Sequence, residues 1–179
     1  SDGHPFSDVD ITVTLPQISP NGQYAVYRQD AVTDSAFELW SVPVAGGNPV
    51  RLSDVLSPGQ HVTFAISPDS ARVVYVVDQD TAGRAELYSV PIAGGVVTKL
   101  NPTLSPNRGV LNFKISPTSD RVFFICDLLT DSMFELYTVP IGGGNALRLN
   151  HELLFDYDVE GYQATPNGQT VLYRAGRTD

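Results

Sequence analysis

The residues with the most chemistry to offer in this 179-residue chain are its carboxylates, and they recur at a fixed spacing. Asp30, Asp78 and Asp127 each stand eight residues before a glutamate: Glu38, Glu86 and Glu135. Two carboxyl groups about 5–9 Å apart across a cleft can act as general acid and base on a glycosidic bond. Copies of a single position repeated along a chain favour a structural bond made once per repeat, and that is the expectation for the three glutamates. The aspartates Asp30, Asp78 and Asp127 have companions in Asp34, Asp80 and Asp131, with Asp54 and Asp156 in other segments. They fit either a ring of carboxylates for a cation or basic partner, or turn caps that accept hydrogen bonds from their own backbone. Asp78-Gln79-Asp80-Thr81-Ala82-Gly83 is similar to a calcium loop, but it lacks a third spaced oxygen ligand and a distal bidentate glutamate. Calcium is weakly implied, and no cofactor is expected.

Nothing else in the sequence adds catalytic chemistry. His4, His61 and His151 share no spacing of a zinc motif, although His61 and His151 occupy related segments and are candidates for one surface. The single cysteine, Cys126, lies in an apolar run and excludes an internal disulfide or a cysteine-cluster metal site. No Gly-x-Ser-x-Gly elbow is present, and Gly46-Gly47 and its copies read as turns, not phosphate cradles. A formal charge of −9 with only two lysines, Lys99 and Lys114, offers no basic stripe to displace counterions from nucleic acid. An acidic surface suits a basic or polar protein partner, a cation, or solubility. Hydrophobic residues at 42% and charged residues at 17% describe a globular chain. The longest apolar runs, such as Val73–Val77, are too short to cross a bilayer, so no membrane insertion is expected. No basic start followed by an apolar stretch marks a signal peptide.

The elements that position these residues are set by a repeat. Ile18-Ser19-Pro20, Ile66-Ser67-Pro68 and Ile115-Ser116-Pro117 recur at 48 and 49 residues, and Ala164-Thr165-Pro166 follows 49 further on. After each comes a turn and then a β-rich run reaching an aromatic: Tyr27, Tyr75, Phe124 and Tyr173. Next come Glu38-Leu39-Trp40-Ser41-Val42-Pro43, Glu86-Leu87-Tyr88-Ser89-Val90-Pro91 and Glu135-Leu136-Tyr137-Thr138-Val139-Pro140, each leading to a Gly-Gly pair. Alternation, β-branched and aromatic enrichment and Gly/Pro/Asn/Asp punctuation predict four short strands per unit, A to D. The expected fold is all-β: a β-propeller of four-stranded antiparallel blades of 48–49 residues, about three and a half of them in an incomplete ring. The predicted organisation is an extension over 1–11, blades over 12–52, 61–100 and 110–149, and strands A and B of a fourth over 157–179.

This blade pattern resembles that of the TolB-like, WD-repeat-like propellers, and of the propellers attached to prolyl-oligopeptidase-type and tricorn-type peptidases. The resemblance covers about Thr12 to Arg174. It implies a periplasmic or extracellular binding role. In a four-stranded meander the connections alternate between the two ends of the blade. The A–B and C–D connections are tight, and the B–C and D–A connections are long. All the long loops are therefore expected on one face, with Asp30, Asp34, Asp54, Asp78, Asp80, Asp127, Asp131, His61 and His151 as its candidate binding residues. The expected function is a non-enzymatic scaffold for protein partners. The rival is the propeller part of a hydrolase whose catalytic module lies elsewhere, and a third possibility is glycan binding. Further blades of the same protein or a second chain are expected to close the ring, beside the unpaired edge of Gln169–Arg174.

Overall fold

The computed structural model describes residues 15–30, 32–60, 62–130 and 132–177. The extension over 1–11, His4, His61 and Asp131 lie outside the described residues. Fourteen strands are formed and no helix is seen among the described residues. The first sheet holds β1 (Gln17–Ile18), β2 (Tyr24–Gln29), β3 (Glu38–Pro43) and β4 (Val50–Arg51). The second holds β5 (Thr63–Ile66), β6 (Arg72–Val77), β7 (Glu86–Pro91) and β8 (Thr98–Lys99). The third holds β9 (Val110–Ile115), β10 (Arg121–Cys126), β11 (Glu135–Pro140) and β12 (Leu147–Arg148). A two-stranded sheet of β13 (Tyr157–Ala164) and β14 (Val171–Arg177) follows. Each sheet is an antiparallel meander in chain order, as expected for blades.

Register repeats from blade to blade. Tyr27 faces Trp40, Tyr75 faces Tyr88, and Phe124 faces Tyr137 across strands B and C. The last two pairs stack, with centroids 5.3 and 5.5 Å apart. Such directly opposed aromatics are a sheet's strongest side-chain pairs. Departures from the repeat have local causes. β1 is two residues long, and the residue preceding it is Pro16, which occupies the place of Phe64 in the second blade and has no N–H to give the ladder.

The core sits between blades. Val73, Tyr75, Val77, Tyr88 and Val90 pack on Val26, Leu39, Leu52 and Leu56 of the preceding blade. Val122, Phe124, Cys126, Tyr137 and Val139 pack likewise on Val74, Leu87, Leu100 and Leu104. Two kinds of turn stitch the tight end. Gly22, Ser70, Ser119 and Gly168 hold equivalent A–B positions, all left-handed, at φ of 73°, 63°, 62° and 69°. The two serines use that geometry, for Ser70 Oγ accepts from Asn21 N and Ser119 Oγ from Asp69 N, both at 3.0 Å. The C–D turns dock on the preceding blade: a Cβ on Gly94 would meet Val50 Cγ1 at 2.5 Å, and one on Gly143 would meet Thr98 Cγ2 at 2.7 Å.

Candidate functional site

The long-loop end carries the aspartates, and their surroundings divide them. Asp78 and Asp127 shape their own loops. Asp78 Oδ2 accepts from Gly83 N at 2.7 Å, and the Asp78 carbonyl accepts from Gln60 Nε2 at 2.7 Å. Asp127 is buried, its Oδ1 accepting from Gly109 N at 2.8 Å and its Oδ2 from Ser132 N at 3.3 Å. A carboxylate that accepts backbone donors, one at Asp78 and two at Asp127, is a loop pin, and its remaining reach toward a partner is small. Asp80 is exposed but ion-paired to Lys99 at 2.8 Å, and that bond holds its carboxyl below the usual range. Asp30, Asp34 and Asp54 are exposed. Asp54 contributes its backbone N–H to Gln79 Oε1 at 3.3 Å, leaving the carboxylate toward solvent. His151 is exposed, its N–H donating to Tyr173 Oη at 3.2 Å.

The strand C glutamates are buried beneath this face. Glu86 pairs with Lys99 Nζ at 2.7 Å and accepts from Tyr88 Oη at 3.2 Å. Glu135 pairs with Arg148 Nη1 and accepts from Tyr137 Oη, both at 2.8 Å. Burial, with the neighbouring carboxylate, pushes the Tyr88 and Tyr137 phenols well up, so they stay protonated donors. The repeated bond expected from sequence is therefore made in blades 2 and 3. Blade 1 breaks it: Glu38 is 0% exposed, and among the described residues neither carboxylate oxygen has a hydrogen-bond partner. Trp40 stands where the other blades have tyrosine and brings no hydroxyl.

Sequence reasoning passed over the apolar part of the same face. Val32, Val55 and Leu129 are more than half exposed there, Leu154 is 72% exposed and Phe155 82%. The signal was available, since each interrupts a polar loop with a large apolar residue. Phe155, Asp156, Tyr157 and Asp158 border a cleft of about 200 Å³ against Thr130, Ser132 and Met133. Asp158 Oδ1 accepts from Phe134 N at 2.8 Å and fixes one wall. Among the described residues, no group of three or more His, Cys, Asp or Glu is placed to hold a metal ion. No helix among them is long and apolar enough to cross a membrane.

Comparison with known proteins places this geometry. No family model and no curated protein matches the sequence. Solved structures do match in fold. A protein assigned as TolB in Agrobacterium tumefaciens superposes with a TM-score of 0.62 at 19% identity, over 94% of this chain and 57% of that one. TolB from Acinetobacter baumannii gives 0.55 at 18% identity, over 87% and 36%. Prolyl oligopeptidase B from Galerina marginata gives 0.59 at 12% identity, over 90% and 22%. The chain has the fold of a TolB-like β-propeller and spans about half or less of these proteins. Its blades need further blades or partners to complete a ring.

Proposed function

We propose that this chain is part of a non-enzymatic β-propeller scaffold that binds protein partners through its long-loop face, in the periplasm or outside the cell. The observation that carries this reading is the company the exposed acids keep. Asp30, Asp34 and Asp54 share loops with the exposed Val32 and Val55, and Leu129, Leu154 and Phe155 extend the same end. Apolar contact area beside unpaired carboxylates is what a partner with a basic rim and an apolar centre would engage. Asp78 and Asp127 hold the loops in shape for it. The likeness in fold to TolB supports the envelope-side location. The test compares the wild-type chain with Asp30→Lys/Asp54→Lys and with Phe155→Ser as bait in matched pull-downs. Loss of the same specific partner from both variants is expected; retention of every partner by both rejects the face.

The likeness to a prolyl oligopeptidase supports a second reading, the propeller portion of a hydrolase. Reading the gene beyond the codon for Asp179 separates the two. A downstream α/β-hydrolase pattern supports the second reading, and further blades followed by a stop codon support the scaffold.

A further inference from the structure

The cleft beside Phe155 has an internal counterpart. Its walls are the B–C loop of blade 3 and the start of β13 with the loop before it, and both recur 49 residues earlier at the junction of blades 2 and 3. The backbone of the two junctions is alike. Met133 N donates to the Thr130 carbonyl at 3.2 Å, as Arg84 N does to the Thr81 carbonyl at 3.0 Å. Tyr157 N donates to the Leu154 carbonyl at 3.1 Å, as Arg108 N does to the Ser105 carbonyl at 3.3 Å. Left-handed residues fall at the same places: Gly83 and Ser132 at φ of 77° and 60°, Asn107 and Asp156 at 66° and 65°.

The side chains are not alike. Between blades 2 and 3 the Arg84 guanidinium joins the walls, its Nη1 donating to the Leu104 carbonyl at 2.8 Å and its Nη2 to Thr81 Oγ1 at 2.6 Å. Between blade 3 and the last sheet, Met133 takes the place of Arg84 and brings neither charge nor donor. The threonine of the first wall is kept, as Thr130. The second wall gains two carboxylates, Asp156 for Asn107 and Asp158 for Gly109, and two rings, Phe155 for Pro106 and Tyr157 for Arg108. The cation is gone and acid is added around a space that stands open at about 200 Å³. A water occupies roughly 30 Å³ of liquid, so the space holds several waters or one long side chain.

We propose that this cleft takes an arginine side chain of the partner protein, in the position that Arg84 fills from within at the preceding junction. The proposal rests on the long-loop face being a protein-binding surface, and it supplies the chemistry of one contact there. A guanidinium presents planar donors in a fixed fork, which can address Thr130 on one wall and the two carboxylates on the other. Its weakly hydrated faces suit the Phe155 and Tyr157 rings and the adaptable Met133 thioether. A lysine ammonium is a compact, strongly hydrated point charge and spans the walls less well. Asp158 Oδ1 already accepts from Phe134 N at 2.8 Å, so that carboxylate is held in place before arginine arrives.

Met133 is the chain's single methionine, so an isotopic label on the methionine methyl gives the whole 179-residue chain one NMR signal, and it lies at the cleft. The probes are blocked tripeptides, acetyl-Gly-Arg-Gly-amide and its lysine and citrulline counterparts. A saturable shift of the methyl signal is expected at millimolar arginine peptide, with several-fold weaker binding of lysine and none of citrulline, which keeps the shape and loses the charge. Asp158→Asn retains an acceptor for Phe134 N and is expected to weaken arginine binding about fivefold; Asp120→Asn, at the tight-turn end, leaves it unchanged. Met133→Arg restores the arrangement of blade 2 and is expected to close the cleft, read as loss of the peptide-induced shifts at the Thr130 and Tyr157 amides. A methyl signal that does not move, citrulline binding as tightly as arginine, or an affinity indifferent to both cleft substitutions would overturn the proposal. The titration contains no partner protein, so its failure rejects this contact alone, whereas the matched pull-downs judge the face.

Discussion

Ser70 and Ser119 sit in a conformation that costs an L-residue about 1–2 kcal/mol, and each recovers part of that by accepting a backbone N–H from the preceding blade. Replacing Ser70 by alanine keeps the strain and loses the acceptor, so a loss of about 1–2 kcal/mol is expected. Ser70→Gly loses the acceptor but sheds the strain, and urea unfolding is expected to rank it clearly above Ser70→Ala. Asp120 gives a pH-dependent prediction. Hydroxyls of Ser116 at 2.6 Å and Thr118 at 2.5 Å hold its carboxyl below the ordinary range. A lowered folded value means the stabilisation is present above the unfolded pKa of about 3.9 and lost as pH falls through the folded value. Acid titration of stability is expected to fall less steeply below about pH 4 in Asp120→Asn. Cys126 is buried, and burial pushes its thiol up to about 12. Thiol reagents at pH 8 are therefore expected to label it only at the rate of unfolding. Cys126 lies in an apolar run that already pointed to burial, whereas nothing in the local pattern announced the bonds that Ser70, Ser119 and Asp120 make. The shared spacing made Glu38 read like Glu86 and Glu135, yet the hydroxyl comes from two residues along the same strand, where blade 1 has Trp40, and the cation from the neighbouring strand D.

At the scale of the element, the C–D turns offer a matched pair. Gly46 and Gly143 share a φ of +100°, yet a Cβ meets nothing within 4 Å at Gly46 and meets Thr98 Cγ2 at 2.7 Å at Gly143. Alanine at either site carries the backbone penalty, and only Gly143→Ala adds the cost of pushing blade 3 off blade 2. The second substitution is expected to be the worse by about 1–3 kcal/mol in denaturant unfolding. The strands themselves were legible from the Ile-Ser-Pro and Glu-Leu-(Tyr/Trp) repeats, since period-two alternation and turn residues act locally. The short β1 was less so: Pro16 falls inside an otherwise strand-like run, and its effect depends on the ladder it fails to join. Asp78 and Asp127 are similar, since an Asp before a loop reads alike in sequence whether it faces a partner or pins the backbone.

For the whole molecule, each blade rests mainly on its neighbours, so stability is expected to grade along the chain. The half-blade has one packed face and a free edge. Hydrogen exchange is expected to be fastest in β14 and slowest in β6 and β10, whose residues fill the two complete interfaces. Uniform protection across all strands would contradict this. Apolar faces left open at about 25 cal/mol per Å² also favour association of the isolated chain, so light scattering is expected to show species above 19.4 kDa. The interblade bonds have a further consequence. In both turn bonds the earlier blade donates its N–H and the later blade accepts it through a serine, and the hydroxyl of Ser41 likewise runs from blade 1 toward blade 2. The array therefore has a polarity, with unlike ends. A two-fold axis would set like ends together, donor against donor, and would reproduce none of these contacts. Copies joined by this interface must follow head to tail, and such a heterologous contact yields a closed ring where the rotation per blade permits it and an open filament where it does not.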